Sequence, residues 1–168
     1  MTKSRISIIL TTIIILLVGF LIAINSELKH KQSKFALFNA ARDGDLEKVK
    51  QLVHEGTPIN LQVSSSFGWT PLIGSIYQNK TNVARYLIQE GADVNLPDVN
   101  GRTPLMWVVS FGDDDISLAK DLIAHGANLF TKDKYGFTVF DDSNAVPTRP
   151  RLMDMLEAAK RARMTNER

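Results

Sequence analysis

The sequence predicts an all-α solenoid of about four helix-turn-helix units that follows an N-terminal transmembrane helix. Three observations favour this fold class. The triplet Thr70-Pro71-Leu72 recurs 33 residues later as Thr103-Pro104-Leu105, a Leu-rich segment that ends in glycine recurs every 35 residues, and residues 6–24 contain no charge. A repeat at a fixed period indicates stacked units, and a long uncharged apolar run is typical of a membrane span.

The N-terminal apolar run is long enough for a membrane anchor. As a helix, residues 6–24 would extend about 28 Å, close to the thickness of a bilayer's hydrocarbon core. A cleaved signal peptide also begins with basic residues such as Lys3 and Arg5, but its apolar core is shorter and it ends in small residues. We therefore predict an uncleaved signal anchor over residues 1–25 and a polar juxtamembrane linker over residues 26–34, with a cleaved signal as the alternative.

The basic residues beside the apolar run give little information on orientation. Lys3 and Arg5 precede the run, and Lys29, Lys31 and Lys34 follow it, so the positive-inside rule is nearly balanced. A short basic start that leads directly into an apolar run is typical of an export signal. We therefore expect the folded domain to be periplasmic or otherwise extracytoplasmic, with a cytosol-facing domain as the alternative.

The net charge of +2 is distributed unevenly along the chain. Residues 1–34 carry five basic residues and one acidic residue, a net charge of +4. Residues 35–148 carry nine basic and fourteen acidic residues, a net charge of −5. Residues 149–168 carry six basic and three acidic residues, a net charge of +3. An acidic central domain repels a phosphate backbone, so we expect no nucleic-acid partner. The absence of cysteine excludes disulfides, thiolate metal sites and cysteine nucleophiles.

Each recurring unit carries the start and stop signals of two short helices. Thr70 and Thr103 are suited to capping a first helix, and the prolines after them suit its first position. That helix is expected to end near Asn79 or Gly112. The second helices are expected to end at three glycines, namely Gly56, Gly91 and Gly126.

The pattern G-x-T-P-L, followed by V-x-x-L-(L/I)-x-x-G-A-D-x-N, resembles the ankyrin repeat. The resemblance implies an ankyrin domain over residues 35–162, with two full repeats between two capping units, and a basic tail over residues 163–168. The first cap, residues 35–63, has no Thr-Pro-Leu, and the last has Thr138-Val139-Phe140 in its place. A final helix from about Arg151 to Arg161 is expected to close the stack.

The resemblance also implies where a partner binds, since ankyrin stacks contact other proteins through loop tips and the exposed side of their first helices. Matching positions within the units gives Phe67, Trp69, Tyr77, Gln78, Asn100, Arg102, Phe111, Lys134, Tyr135 and Phe137, together with Ser66, Val99 and Ser110. Aromatic residues and arginine are common anchors of protein interfaces. The alternative for any one aromatic residue is a contact between units. Trp107, within a first helix, is expected to belong to the core.

The sequence contains no motif for catalysis. A phosphate-binding glycine loop, a nucleophile-elbow serine and an H-E-x-x-H motif are all missing. His54 and His125 lie at the ends of second helices and are expected to be structural, and Asp113-Asp114-Asp115 is expected to be a turn whose last residue caps a helix. We therefore predict no enzymatic activity, no cofactor, no metal and no small-molecule substrate.

The expected function is binding of a single protein partner at a membrane, with residues 6–24 as the membrane contact. The resemblance implies a narrower version, in which the stack neutralises a toxin or restrains an enzyme in the cell envelope. The alternatives are a structural or assembly adaptor of a membrane complex and a tethered adaptor that faces the cytosol.

Overall fold

The protein is described by a computed structural model that covers the backbone of residues 3–63, 67–111, 116–141 and 150–166. Side chains are described for the same residues except 3–11, 26–34 and 166. These residues form seven α-helices and no strand: α1 (Lys3–Asp43), α2 (Leu46–His54), α3 (Pro71–Tyr77), α4 (Thr81–Gln89), α5 (Pro104–Phe111), α6 (Ser117–Ala124) and α7 (Pro150–Asn166).

The helices stack in two rows. Within a unit, α1 packs against α2, α3 against α4, and α5 against α6. Between units, α3 contacts both α1 and α5, and α4 contacts both α2 and α6. We call α1, α3 and α5 the first-helix row, and α2, α4 and α6 the second-helix row. This arrangement confirms the predicted all-α repeat solenoid.

The capping signals act as the sequence predicts. Thr70 Oγ1 accepts a hydrogen bond from the N–H of Ile73 at 3.1 Å, and Thr103 Oγ1 accepts one from the N–H of Met106 at 3.4 Å. Helix α3 ends at Tyr77, and Asn79 follows in the left-handed region with a φ of 54°. The second helices are followed by left-handed glycines, with φ values of 82°, 86° and 91° at Gly56, Gly91 and Gly126. Gly112 and Asp115, a predicted helix end and a predicted cap, lie outside the described residues.

One apolar core extends through all the units. Leucines from both rows, among them Leu37, Leu72, Leu105 and Leu122, are fully buried in the same cluster. Trp107 belongs to this cluster with 7% of its surface exposed, which confirms its predicted core position. Because each unit buries its apolar face only against its neighbours, the stack supplies the core that no single unit has.

Helix α1 joins the apolar N-terminal segment to the first unit without a break. Its 41 residues span about 60 Å at 1.5 Å per residue, and the segment predicted as a linker, residues 26–34, is helical in its backbone. The C-terminal part of α1 is the first helix of the stack, where Leu37 and Ala41 are buried.

The predicted transmembrane helix is not supported by the structure. Among the residues that were described, no helix combines the length and the apolar character that a membrane crossing requires. The side chains of residues 6–11, part of the predicted segment, lie outside the described residues.

The last unit differs from the two before it. Val139 and Phe140 form a turn, and the next described helix is α7, which begins at Pro150 and extends to Asn166. It is therefore longer than the predicted 151–161 and extends into the predicted tail. Its Leu152 and Leu156 enter the shared core, and Arg163 Nη2 donates to the carbonyl of Ala127, just beyond α6, at 2.8 Å.

Candidate functional site

The predicted binding residues are carried by tight turns that precede the first helices. One backbone hydrogen bond closes each of these tips: Val63 N to Trp69 O at 3.0 Å, Asp98 N to Arg102 O at 3.0 Å, and Asp133 N to Phe137 O at 2.8 Å. The second and third tips share one geometry, since each bond closes across four residues, whereas the bond of the first tip spans six.

Successive tips are also joined to each other. The N–H of Val99 donates to the carbonyl of Phe67 at 3.1 Å, and the N–H of Lys134 donates to the carbonyl of Asn100 at 2.8 Å. These bonds link each tip to the one before it, so the tips form one edge of the stack that is continuous from Phe67 to Tyr135. Side chains on the edge are held at fixed spacings before any partner arrives.

Two aspartates at matching positions shape the tips. Asp98 Oδ1 accepts from the N–H groups of Asn100 and Arg102, at 2.8 and 3.0 Å. Asp133 Oδ1 accepts from the N–H groups of Tyr135 and Phe137, also at 2.8 and 3.0 Å. In the described part of the chain, no group of three or more His, Cys, Asp or Glu side chains is arranged to hold a metal ion. The hydrogen bonds of the two carboxylates stabilise the turns of their own tips.

Five rings from two units form a continuous surface that we call the aromatic cluster. Its members are Phe67, Trp69, Tyr77, Trp107 and Phe111. Ring centroids lie 5.2 Å apart for Phe67 and Trp69, 4.7 Å for Trp69 and Tyr77, 5.1 Å for Trp69 and Trp107, 5.5 Å for Tyr77 and Phe111, and 5.2 Å for Trp107 and Phe111. All of these separations fall in the range of favourable aromatic pairs.

Arg102 is fixed over the aromatic cluster. Its guanidinium carbon lies 4.5 Å from the ring centre of Trp107 and 5.9 Å from that of Phe111, within the distance of a cation–π interaction. Its Nη2 donates to Ser110 Oγ. The arginine thus presents a positive charge at a defined place on an aromatic surface.

The cluster is exposed at its margins and buried at its centre. Phe67 and Phe111 are 51% and 49% exposed, and Tyr77 is also exposed, whereas Trp69 is half-buried. Trp69 contacts Tyr77 of its own unit and Trp107 of the next unit. The alternative considered from the sequence, a contact between units, therefore applies to Trp69, and alanine there would disturb packing as well as any binding.

The last tip carries the most exposed aromatic residues of the edge. Tyr135 and Phe137 are 67% and 54% exposed. Lys134 Nζ lies 5.0 Å from the ring centre of Tyr135 and donates to Asn100 Oδ1. A groove of about 580 Å³ lies between this tip and α5, and Arg102, Phe111, Tyr135 and Phe137 are among its lining residues.

Nine of the ten predicted residues form two adjoining areas rather than one, and Gln78 belongs to neither. Phe67, Trp69, Tyr77, Arg102 and Phe111 meet in or on the aromatic cluster, and Lys134, Tyr135, Phe137 and the half-buried Asn100 belong to the last tip and its neighbour. Gln78 is exposed at the end of α3. Val99 is exposed, Ser110 lines the groove, and Ser66 lies outside the described residues.

The central role of Trp107 was not predicted from the sequence. This residue was assigned to the core, which is correct, yet its ring also contacts Trp69, Tyr77 and Phe111. Its Nε1 donates to Asp98 Oδ2 at 3.2 Å and so ties the cluster to a tip. The sequence did contain a signal for this role. The matching residue of the previous unit, 33 positions earlier, is Gly74, so the repeat itself does not require a large aromatic residue at this position.

Comparison with known proteins agrees with the repeat geometry. The family model described as ankyrin repeats in three copies matches residues 17–98 and residues 37–133. An ankyrin repeat-containing protein of Treponema pallidum (strain Nichols) is 33% identical over 114 residues, which are 68% of this chain and 37% of that protein. Ankyrin repeat and SAM domain-containing protein 6 of Rattus norvegicus is 35% identical over 100 residues, 60% of this chain and 11% of that protein.

The relatives are longer proteins, and the matches cover only part of each. The human 2-5A-dependent ribonuclease, 33% identical over 76 residues, is matched over 10% of its length, and its named activity is not carried over to this chain. Two overlapping matches to the repeat model cover more than half of the chain, and the helix pairs, caps and linked tips have the predicted repeat arrangement. The chain belongs to the ankyrin-repeat family, whose members are generally protein-binding modules.

Proposed function

We propose that this chain binds a single protein partner through the aromatic cluster and the last tip. The observation that supports this most is the fixed aromatic edge. Phe67, Phe111, Tyr135 and Phe137 are each about half exposed or more, although burying such rings in a core would stabilise the fold. Contiguous exposed apolar surface is typical of protein-interaction sites, and aromatic residues are common anchors of such sites.

The edge is also organised before binding. Backbone hydrogen bonds join the tips, and Arg102 is stacked over Trp107. These contacts already limit the conformational freedom that the side chains would otherwise lose when a partner binds. Ordering a rotamer-rich side chain costs about 0.5–1.5 kcal/mol, so a surface that is already ordered retains more of its contact energy. This favours one specific partner over many weak ones.

Alanine variants at the most exposed rings test this proposal. Phe67→Ala and Tyr135→Ala are made in the full chain with a C-terminal tag, with Phe130→Ala as the matched control. Phe130 is 44% exposed, and its ring contacts Phe140 rather than a ring of the edge. We expect one stoichiometric partner with the unaltered chain and the control, and its loss with the two edge variants. Equal recovery from all four chains would contradict the proposal.

We further propose that α1 attaches the stack to a membrane, on the extracytoplasmic side. The supporting observation is that every described side chain from Thr12 to Asn25 is exposed, with nine large apolar groups among them from Ile13 to Ile22. Apolar surface of this extent is costly in water. Partners in that compartment would include exported toxins and envelope enzymes, as the resemblance implies.

Fractionation tests the attachment, and protease tests the side. In a bacterial host, the full chain is expected to float with membranes, and a tag after Arg168 is expected to be digested in intact spheroplasts while a cytoplasmic control survives. A chain that remains in the soluble fraction would contradict the attachment. A tag that resists protease until lysis would reverse the side and favour a cytosol-facing adaptor.

A further inference from the structure

Helices α1 and α3 run in the same direction and in register. A Cβ added to Gly74, within α3, would lie 2.9 Å from Cε2 of Phe38 in α1. A Cβ added to Gly44, just after α1, would lie 2.8 Å from Cδ of Lys80, just after α3. Both pairs are 36 positions apart along the chain. A constant offset of this kind occurs between parallel helices and not between antiparallel ones.

Helices α3 and α5 are parallel as well. Just before the two helices, the N–H of Val99 donates to the carbonyl of Phe67. At their last residues, the ring centroids of Tyr77 and Phe111 lie 5.5 Å apart. The start of α3 therefore meets the start of α5, and the two ends meet each other. All three tips, which are bonded in succession, lie at the starting end of the first-helix row.

Helix α1 continues past this starting end. The offset of 36 positions places Lys34 level with Thr70, the cap of α3, so the part of α1 before Lys34 projects on the side of the tips. Its backbone is helical throughout residues 26–34. The nine residues from Asn25 to Lys34 advance about 14 Å at 1.5 Å per residue. The apolar segment and the tips therefore lie on the same side of the stack.

This distance separates a lipid contact from a protein contact. The headgroup region of one leaflet is about 5–8 Å thick. If α1 enters the bilayer along its own axis, the start of the first-helix row lies about 6–9 Å beyond the headgroups. Rings at that level do not reach the hydrocarbon core. A membrane protein, by contrast, extends its own chain past the headgroups and fills this space.

The tips present exposed apolar groups at this level. Phe67, Val99 and Tyr135 come from three successive tips, and each is more than half exposed. Because backbone bonds join the tips, the three side chains form one row rather than three separate groups. Contiguous exposed apolar surface is typical of protein-interaction sites.

The charges of the tips agree with a partner segment that is poor in cations. Lys134 is exposed, and the guanidinium of Arg102 is stacked over Trp107. The carboxylates of Asp98 and Asp133 accept hydrogen bonds from N–H groups of their own tips. Segments that flank a membrane span on the extracytoplasmic side contain few lysines and arginines. The tips therefore meet little like-charge repulsion from such a segment.

We propose that α1 holds the tips facing the bilayer, so that the protein partner is a membrane protein, bound at the extracytoplasmic segment where its chain leaves the lipid. This inference rests on the proposed function, both the binding of a protein at the edge and the attachment through α1. It adds the class of the partner and the direction of the contact. The uninterrupted helix over residues 26–34 transmits this orientation, whereas a flexible linker would let the edge face any direction.

Single cysteine labels test the orientation, because the chain has no cysteine of its own. Tyr135→Cys, at the last tip, and Asp43→Cys, at the far end of α1, each carry a bimane label in the full chain. Both chains are bound to vesicles of phosphatidylethanolamine and phosphatidylglycerol. A nitroxide on the lipid headgroup is expected to quench the label at position 135 roughly threefold more, because the end of α1 lies about 14 Å farther away.

Two results of this experiment would overturn the inference. Equal quenching of the two labels, or stronger quenching at position 43, would show that the tips do not face the bilayer. Quenching at position 135 by a nitroxide within the acyl chains would show that the tip enters the lipid, and the contact would then be with lipid rather than with a membrane protein.

A helical spacer tests whether the partner depends on this distance. Seven residues of alanine, glutamate and lysine, inserted after residue 30, lengthen α1 by about 10 Å and rotate the stack by only about 20°. With p-benzoylphenylalanine at position 135, we expect at least tenfold less crosslinked partner in cells. The same seven residues placed after Arg168 are the control and should leave the yield unchanged. Detergent-solubilised partner should bind both chains equally, and an undiminished cellular crosslink in the spacer chain would refute the inference.

The partner itself gives an independent test. In cells that lack this chain, the crosslinked protein, once identified by mass, is expected to remain in the membrane pellet after alkaline carbonate extraction. Its release would overturn the inference, although the protein-binding function would stand. If Phe67→Ala and Tyr135→Ala release no partner, the protein-binding proposal itself fails. If the full chain does not bind the vesicles, the attachment fails and this inference fails with it.

Discussion

The indole rings of Trp69 and Trp107 meet edge to face with their centroids 5.1 Å apart, but their N–H groups differ. Trp107 Nε1 donates to Asp98 Oδ2 at 3.2 Å. Trp69 Nε1 is buried and has no hydrogen-bond partner within the described ranges. A buried donor without a partner costs about 1–3 kcal/mol, so the two tryptophans contribute differently to the stability of the stack.

Replacing each tryptophan with phenylalanine measures this difference. Trp69→Phe loses some packing but also removes the unpaired buried donor, and these two effects oppose each other. We therefore expect the free energy of unfolding to change by no more than about 1 kcal/mol. Trp107→Phe leaves the buried carboxylate of Asp98 without one bond and is expected to be about 1–3 kcal/mol less stable. Urea denaturation of both variants checks this, and equal losses would contradict it.

Gly101 is predicted to be hard to replace, because an added Cβ would meet the backbone of the next tip. Its φ is 78°, and an added Cβ would lie 3.1 Å from both the Cα of Asp133 and the N of Lys134. The control, Gly91, has a φ of 86° and open space around an added Cβ. Gly91→Ala should therefore cost only the left-handed strain, about 1–2 kcal/mol.

Gly101→Ala has the same strain and must also displace the next tip, so it should cost about 1–3 kcal/mol more than the control. Because Lys134 N–H donates to the carbonyl of Asn100, that amide should also lose protection from hydrogen exchange in Gly101→Ala. A similar loss of stability in both variants would show that the tips are not closely packed.

Asp141 is predicted to titrate below the ordinary range because of Thr138. The side-chain hydrogen bond from Thr138, followed by the bond from its backbone, lowers the pKa of Asp141 from 3.8. A carboxylate whose pKa is lower in the folded state stabilises that state above its unfolded pKa. The contribution is lost as the pH falls through the folded pKa.

Thr138→Val removes the hydroxyl donor and keeps the N–H, so the pKa of Asp141 is expected to rise toward 3.8 without reaching it. A carboxyl-detected NMR titration of the variant and the unaltered chain between pH 2 and 6 would measure the change. An unchanged Asp141 pKa would mean that the hydroxyl does not contact the carboxylate in solution.

The repeat units were predictable because their signals are local. Thr70 and Thr103 cap the helices that follow them, and Gly91 and Gly126 end the helices before them. Each of these features depends on a few neighbouring residues. The fold class therefore followed from the sequence.

The contacts between units were not predictable in the same way. Trp69 and Trp107 are 38 positions apart, and nothing in either local sequence indicates that their rings touch. The groove depends on Ser110 facing a turn at Val139, which only the three-dimensional stack reveals. The polar composition of residues 26–34 suggested a linker, but polar side chains are compatible with the helix that the backbone forms there.

The most direct measurement of the central proposal is site-specific photo-crosslinking in the native cell, with p-benzoylphenylalanine placed at Tyr135 in one chain and at Phe130 in another. Both positions are exposed aromatic residues, so the two chains differ in location rather than in chemistry. We predict one crosslinked protein of defined mass from position 135 and none from position 130. The same products from both positions, or a product from position 130 alone, would contradict partner binding at the aromatic edge.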